Sequence, residues 1–250
     1  NGELIIWDLA TGETLRVIEH EEAPLRGGVV VMPDGQQVVS ADDNGNVMVW
    51  DLANETDEPV LLFRGHDARV PSLDISPLGG EVTTVSFDST VIVWDLLGRD
   101  AEIQRFDSNT RAVYASTISD DGVLTASGSI DGRIVIWDTV TGEILHDIQQ
   151  DSFETVYSVD FNRDATQLVS ASGDGTVTLR DTSTGESLQT FVGLNAPARQ
   201  VAFSPDDNLI VAGGGYVQIS DTRSPDNRLI VWDRSGDIVQ TFEGHQATIR

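Results

Sequence analysis

Short runs of alternating apolar and polar residues, each closed by a turn signal, recur from one end of this chain to the other. The run 133–137, Arg-Ile-Val-Ile-Trp, is β-branched and ends on an aromatic residue, which favours a strand. Asp131-Gly132 stands before it and predicts a tight turn, because Gly accepts positive φ and Asp bonds its own nearby backbone. Thr141-Gly142-Glu143 predicts the following turn, and 144–148, Ile-Leu-His-Asp-Ile, a second strand. Each such unit therefore contains a hairpin.

The unit repeats. Trp-Asp or its degenerate form falls at Trp7-Asp8, Trp50-Asp51, Trp94-Asp95, Trp137-Asp138, Arg180-Asp181 and Trp232-Asp233, and the Asp positions are 43, 44, 43, 43 and 52 residues apart. A period in that range with four strand-like segments is the signature of propeller blades. The expected fold is all-β, a β-propeller of four-stranded antiparallel blades, with about six repeat units visible. One domain covers 1–250, since a blade buries its apolar face only against its neighbours. Its parts are a partial first blade at 1–20, fuller blades at about 26–64, 70–106, 112–148, 155–191 and 198–242, and the start of a further blade at 245–250.

Asn1-Gly2 occupies the turn position before Trp7, and the chain stops where a new inner strand is due, so the expectation is a fragment of a longer polypeptide. Inner strands lead into polar turns such as Met32-Pro33-Asp34-Gly35 and Ser204-Pro205-Asp206-Asp207, which are turn chemistry without a functional message. The last full blade carries a surplus of 9 residues around 213–227, where Tyr216 and Arg223 give a loop with contact potential.

Gly65-His66 followed 28 residues later by Trp94-Asp95 resembles the WD-repeat β-propeller family, over essentially the whole chain. The resemblance implies blades around a central channel, seven being the commonest number, and a platform for protein assembly with no chemistry of its own. It further implies a hydrogen-bonded set within a blade, which maps here onto His66, Ser86, Asp88 and Trp94. Asn109 takes the His position before Trp137, Ser152 and Arg180 replace both ring residues in the fifth blade, and Asp42 and Asn44 take the Ser and Asp positions in the second. In the family, loops before each inner strand and between the second and third strands surround the channel mouth and make the contacts. By register these give Arg69, Pro71, Phe87, Ala112, Tyr114, Ile130, Thr155, Tyr157, Pro197 and Arg199. Arg69, Phe87, Tyr114, Ile130, Tyr157, Arg199, Tyr216 and Arg223 are the expected partner-binding residues, Arg and aromatic types being those that dominate interface energetics.

The formal net charge of −26, with 15 basic residues that are all Arg, repels phosphate backbones and anionic membranes. A protein or peptide partner is expected, and nucleic acid, membrane or small-molecule substrate is not. Zero Cys removes disulfides and thiolate chemistry, and no His pair stands at metal-ligand spacing, so neither metal nor cofactor is expected. With no Lys, a phosphate-binding loop and Schiff-base chemistry are excluded. A propeller glycosidase is the alternative from another class, but most Asp residues recur in register and so serve the blades. A sensor or regulatory domain of a larger signalling protein is a second non-enzymatic alternative. The remaining expectation is a soluble, cytoplasmic protein that is not an enzyme.

Overall fold

The computed structural model describes all residues except 1, 21, 55, 97–101, 108, 110, 216–226 and 245–250. The strands are grouped into one two-stranded and five four-stranded sheets, each an antiparallel meander in chain order. Blade one holds β1 (Gly2–Trp7) and β2 (Thr14–His20). Blade two is β3 (Val29–Val31), β4 (Gln37–Ala41), β5 (Asn46–Asp51) and β6 (Leu61–Arg64). Blade three is β7 (Ser72–Ile75), β8 (Glu81–Val85), β9 (Val91–Asp95) and β10 (Glu102–Phe106). Blade four is β11 (Val113–Ile118), β12 (Leu124–Ser129), β13 (Arg133–Asp138) and β14 (Ile144–Gln149). Blade five is β15 (Val156–Phe161), β16 (Gln167–Ser172), β17 (Val177–Asp181) and β18 (Ser187–Phe191). Blade six is β19 (Ala198–Phe203), β20 (Leu209–Gly214), β21 (Leu229–Asp233) and β22 (Ile238–Phe242). The fold is an all-β propeller. The surplus residues of blade six fall between β20 and β21, and Tyr216 and Arg223 lie outside the described residues, as does the segment 245–250.

Meanders follow from the turn chemistry. After Trp137, the Asp138 carboxylate accepts the amides of Val140 and Thr141, and Gly142 turns the chain at φ 76°. Asp8 and Asp181 cap the same turn in their blades. Amide bonds above all hold the Asp8 and Asp138 carboxyls below their ordinary range, and at Asp181 the Ser183 hydroxyl does so ahead of the Thr184 amide. The Asp at positions 8, 51, 138, 181 and 233 is thus a half-buried turn cap.

Among the described residues no blade has a private core. Each of the five apolar clusters is shared by two consecutive blades, as where Val85, Val91 and Phe106 of blade three meet Val113, Val135 and Trp137 of blade four. The fourth-strand Phe of one blade lies against the Trp of the next: Phe63 on Trp94 at 5.4 Å, Phe106 on Trp137 at 4.7 Å, Phe191 on Trp232 at 5.8 Å. Both partners change at blade five, where Arg180 stands for Trp and Ile148 for Phe. Burial holds the Arg180 guanidinium below its ordinary range despite the nearby Asp151.

The hydrogen-bonded set in blade three differs from expectation at one member. Trp94 Nε1 donates to Thr84 Oγ1 at 2.7 Å, and His66 Nε2 meets the same hydroxyl at 2.8 Å. Its Nδ1 lies 2.8 Å from Thr90 Oγ1 and 3.4 Å from Asp88 Oδ2, while the Thr90 hydroxyl donates to Asp88. Every member is satisfied when His66 carries its proton on Nδ1. Ser86, expected in the centre, instead donates to the Ala68 carbonyl and accepts the Asp88 amide. Pleating explains the correction. Val82 pairs directly with Trp94, so Thr84 is the diagonal neighbour within indole reach and Ser86 lies one step beyond it. Burial pushes the Asp88 carboxyl up, but bonds from His66, Thr90 and the Asp67 and Thr90 amides outweigh it and hold it far below the usual carboxylate range.

The other blades keep parts of the relay. Trp50 donates to Ser40 at 2.8 Å, with His20 reaching Asp42 at 3.4 Å, and in blade five Gln150 reaches Ser170 at 3.3 Å. Replacing Thr84 by Val removes the acceptor of a buried indole N–H and the partner of an imidazole nitrogen, and is expected to cost about 1–3 kcal/mol in denaturant unfolding. Ser86→Ala, which leaves the indole and imidazole partners in place and loses the bond to the Ala68 carbonyl, should cost less, and the opposite order would return the central role to Ser86.

Candidate functional site

The inner strands β3, β7, β11, β15 and β19 contribute the wall of a cavity of about 770 Å³. At its mouth two loops of each of blades three to six are tied together by one repeated hydrogen bond. The Phe87 amide donates to the Arg69 carbonyl, Ile130 to Ala112, Gly173 to Thr155 and Gly215 to Pro197, all within 2.8–3.2 Å. The loop between second and third strands is therefore fixed beside the loop that enters the inner strand.

Five of the expected contact residues form one continuous arc. The Arg69 guanidinium carbon stands 5.5 Å from the Phe87 ring centre, and Phe87 lies 4.9 Å from Tyr114. Tyr114 meets Tyr157 edge-on at 5.6 Å, and Arg199 lies over Tyr157 at 3.8 Å. The arc crosses blades three to six, with a cation at each end and three rings between. A guanidinium over a ring face is attracted by its quadrupole, which orients the cation without neutralising it. Ile130 is half exposed beside the arc, its carbonyl accepting the Thr155 hydroxyl at 3.3 Å. Arg69, Pro71, Tyr114, Tyr157 and Arg199 all line the cavity.

Arg26 was not expected and belongs to the same rim. It lies 43 residues before Arg69, so the repeat period alone would have found it. The loop of blade two is shifted, with His20 six residues before Arg26 where His66 is three before Arg69, and counting from the His misses it. Asp43 lies between the two cations, 3.3 Å from Arg26 and 3.4 Å from Arg69, while Arg69 also donates to the Arg26 carbonyl at 2.9 Å. Deeper in the wall stand Asp74 and Asp160, both pushed up by burial. Among the described residues no group of three or more His, Cys, Asp or Glu is placed to hold a metal ion, and no helix is long and apolar enough to cross a membrane.

The family model for the WD domain, G-beta repeat, matches residues 12–51, 57–95, 101–138, 142–181 and 185–233. Every matched segment ends on the Asp of the Trp-Asp position, so the sequence repeat takes the fourth strand of one blade together with three strands of the next. The chain is similar to Protein groucho of Drosophila melanogaster, 38% identical over 108 residues, and to Transducin-like enhancer protein 2 of Mus musculus, 37% identical over 108 residues. Each alignment takes 42% of this chain and 14% of the relative. In three dimensions the chain matches a chain of a crystal structure of the mitotic checkpoint complex, with a TM-score of 0.85 at 20% identity, over 99% of this chain and 73% of that one. That likeness shows the propeller fold. Matched over five successive repeats, each laid on the strands of two adjoining blades, the chain belongs to the WD domain, G-beta repeat family.

Proposed function

We propose that this chain is a non-enzymatic protein-interaction platform that receives a partner peptide or domain at the channel mouth. The observation that supports it is the arc Arg69, Phe87, Tyr114, Tyr157 and Arg199, held by ring and cation contacts on a rigid rim. Aromatic side chains lose little freedom on binding, and aromatic and Arg residues dominate interface energetics. The body carries a net charge of −26, so an arc ended by Arg199 and by Arg69, the latter shared with Asp43, contrasts with the surface around it. It suits a segment with an acidic or apolar anchor, the acid meeting Arg69 or Arg199 and the apolar group the rings between them. The Trp-Asp carboxylates recur as turn caps, which supports a role in the blades over one in catalysis.

A library of displayed 12-residue peptides selected on the wild-type chain tests this reading. Changing Arg69, Tyr157 and Arg199 together to Ala is expected to weaken the selected peptides at least about 30-fold, with little change in melting temperature. Retained binding would overturn the assignment. So would loss of binding on changing the outer-strand residues Gln189 and Gln240 in β18 and β22, because contact would then lie on the blade edges.

A further inference from the structure

Asp74, Thr117 and Asp160 occupy corresponding inner-strand positions, 43 residues apart, in blades three, four and five. Asp74 and Asp160 line the cavity, and each reaches across to the next blade. Asp74 Oδ2 accepts the Thr117 hydroxyl and the Ile118 amide, both at 3.0 Å. Asp160 Oδ2 accepts the Phe203 amide at 2.8 Å, which joins blade five to blade six. The two clips are not equivalent. Asp74 Oδ1 also accepts the Ile75 amide at 3.0 Å, whereas among the described residues the bond to Asp160 comes from Phe203.

The charges around Asp160 are mostly of its own sign. Asp74 faces it from β7, Asp120 from the turn after β11 and Asp207 from the turn after β19. Arg163 and Asp164 follow in the turn after its own strand, where the Arg163 amide donates to Asp207 at 3.2 Å. The cations on packed elements are engaged elsewhere. Arg199 of β19 covers the Tyr157 ring at 3.8 Å, and Arg234, after β21, lies 5.5 Å from the Phe203 ring and donates to the Asp207 carbonyl at 3.3 Å. β12, β16 and β20 bring no charged side chain to the site.

We propose that Asp160 is a protonation-sensitive tie between blades five and six, its bond to Phe203 kept in both states, relaxed when neutral and destabilising as a half-buried anion facing Asp74, Asp120 and Asp207. The neutral carboxyl keeps a carbonyl oxygen for the Phe203 amide, so protonation does not remove the bond. Its proton leaves to bulk water and a net charge of −1 remains in the channel wall. Burial is the largest cause of its raised value; the Phe203 amide opposes it, and Asp74, Asp120 and Asp207 add to it, giving a pKa of about 7 against an ordinary 3.8. A raised carboxyl binds its proton more tightly folded than unfolded. Stability from this group is therefore greatest below 3.8 and is lost progressively as pH rises towards 7.

Thermal melts of the whole 250-residue chain and of Asp160→Asn between pH 5 and pH 8 test the tie. Asn retains the carbonyl acceptor and cannot ionise. The variant's advantage in melting temperature is expected to grow from pH 5 to about pH 7 and then level off, reaching at least about 4 °C at pH 8. A constant difference, or a variant that melts lower at pH 8, would overturn the proposal. Carboxyl carbon resonances of the wild-type chain supply a second reading independent of how the variant folds. An Asp160 midpoint within about one unit of 7 supports the tie, and one below about 6 removes it.

Discussion

Replacing Trp94 by Ala is expected to lower stability by about 3–5 kcal/mol, read as a shifted urea midpoint by circular dichroism. The indole is 1% exposed and joins three things at once. It stacks on Phe63 of the preceding blade, meets the His66 ring edge-on at 6.1 Å, and donates to Thr84. The chain also passes close over it, since a Cβ added at Gly65 would stand 2.7 Å from the far edge of the ring. Its removal opens a void between blades two and three and leaves the Thr84 hydroxyl without its donor. For a domain stable by about 5–15 kcal/mol, that is a large share of the total. Trp7, 54% exposed on the two-stranded blade, is the internal control, and Trp7→Ala should cost about 1 kcal/mol or less. Equal costs for the two would show that burial between blades is not what the Trp position contributes.

Gly45→Ala is expected to cost about 2–4 kcal/mol, for two reasons that add. Gly45 turns between β4 and β5 at φ 89°, where an L side chain is strained. Its added Cβ would also stand 2.4 Å from the His66 carbonyl oxygen and 3.0 Å from that of Ala68. Those atoms are backbone of the loop that carries Arg69, so the neighbour cannot swing aside without disturbing the mouth. Gly12 separates the two effects. It turns at φ 72° with nothing within 4 Å of the added Cβ, so Gly12→Ala retains only the backbone strain, about 1 kcal/mol. Melting curves of both variants check this, and a Gly45 variant no worse than the Gly12 variant would refute the close-approach argument.

The repeat and its strands were legible because turn residues and alternating apolar positions are local signals, and five repeats state them again and again. The arc at the mouth was legible for a related reason. Equal spacing along the sequence becomes equal placement around the ring, so Arg69, Tyr114, Tyr157 and Arg199 could be brought to one rim by counting. What escaped depends on distances across strands and between blades. Thr84 and Ser86 share a strand face, and only the pairing of Val82 with Trp94 decides which hydroxyl the indole reaches. Arg26 escaped because a shift of the His in one blade broke the counting rule. Asp160 gave no local sign at all, its raised value coming first from burial in the channel wall and only then from acids of blades three, four and six.

The sharing of every apolar cluster between consecutive blades bears on how the chain is made. A meander pairs each strand with its neighbour in sequence, so a hairpin can close within about 1–10 μs of leaving the ribosome. The surface that covers it arrives one period later. At about 5–20 residues per second, a spacing of 43 residues leaves each new blade face bare for roughly 2–9 s. During that interval the newest sheet presents wet Val, Ile and Trp on one side. Vectorial synthesis thus carries a moving front of exposed hydrophobic surface along the chain, one blade wide, and a holding chaperone would find its target at the same point of every repeat.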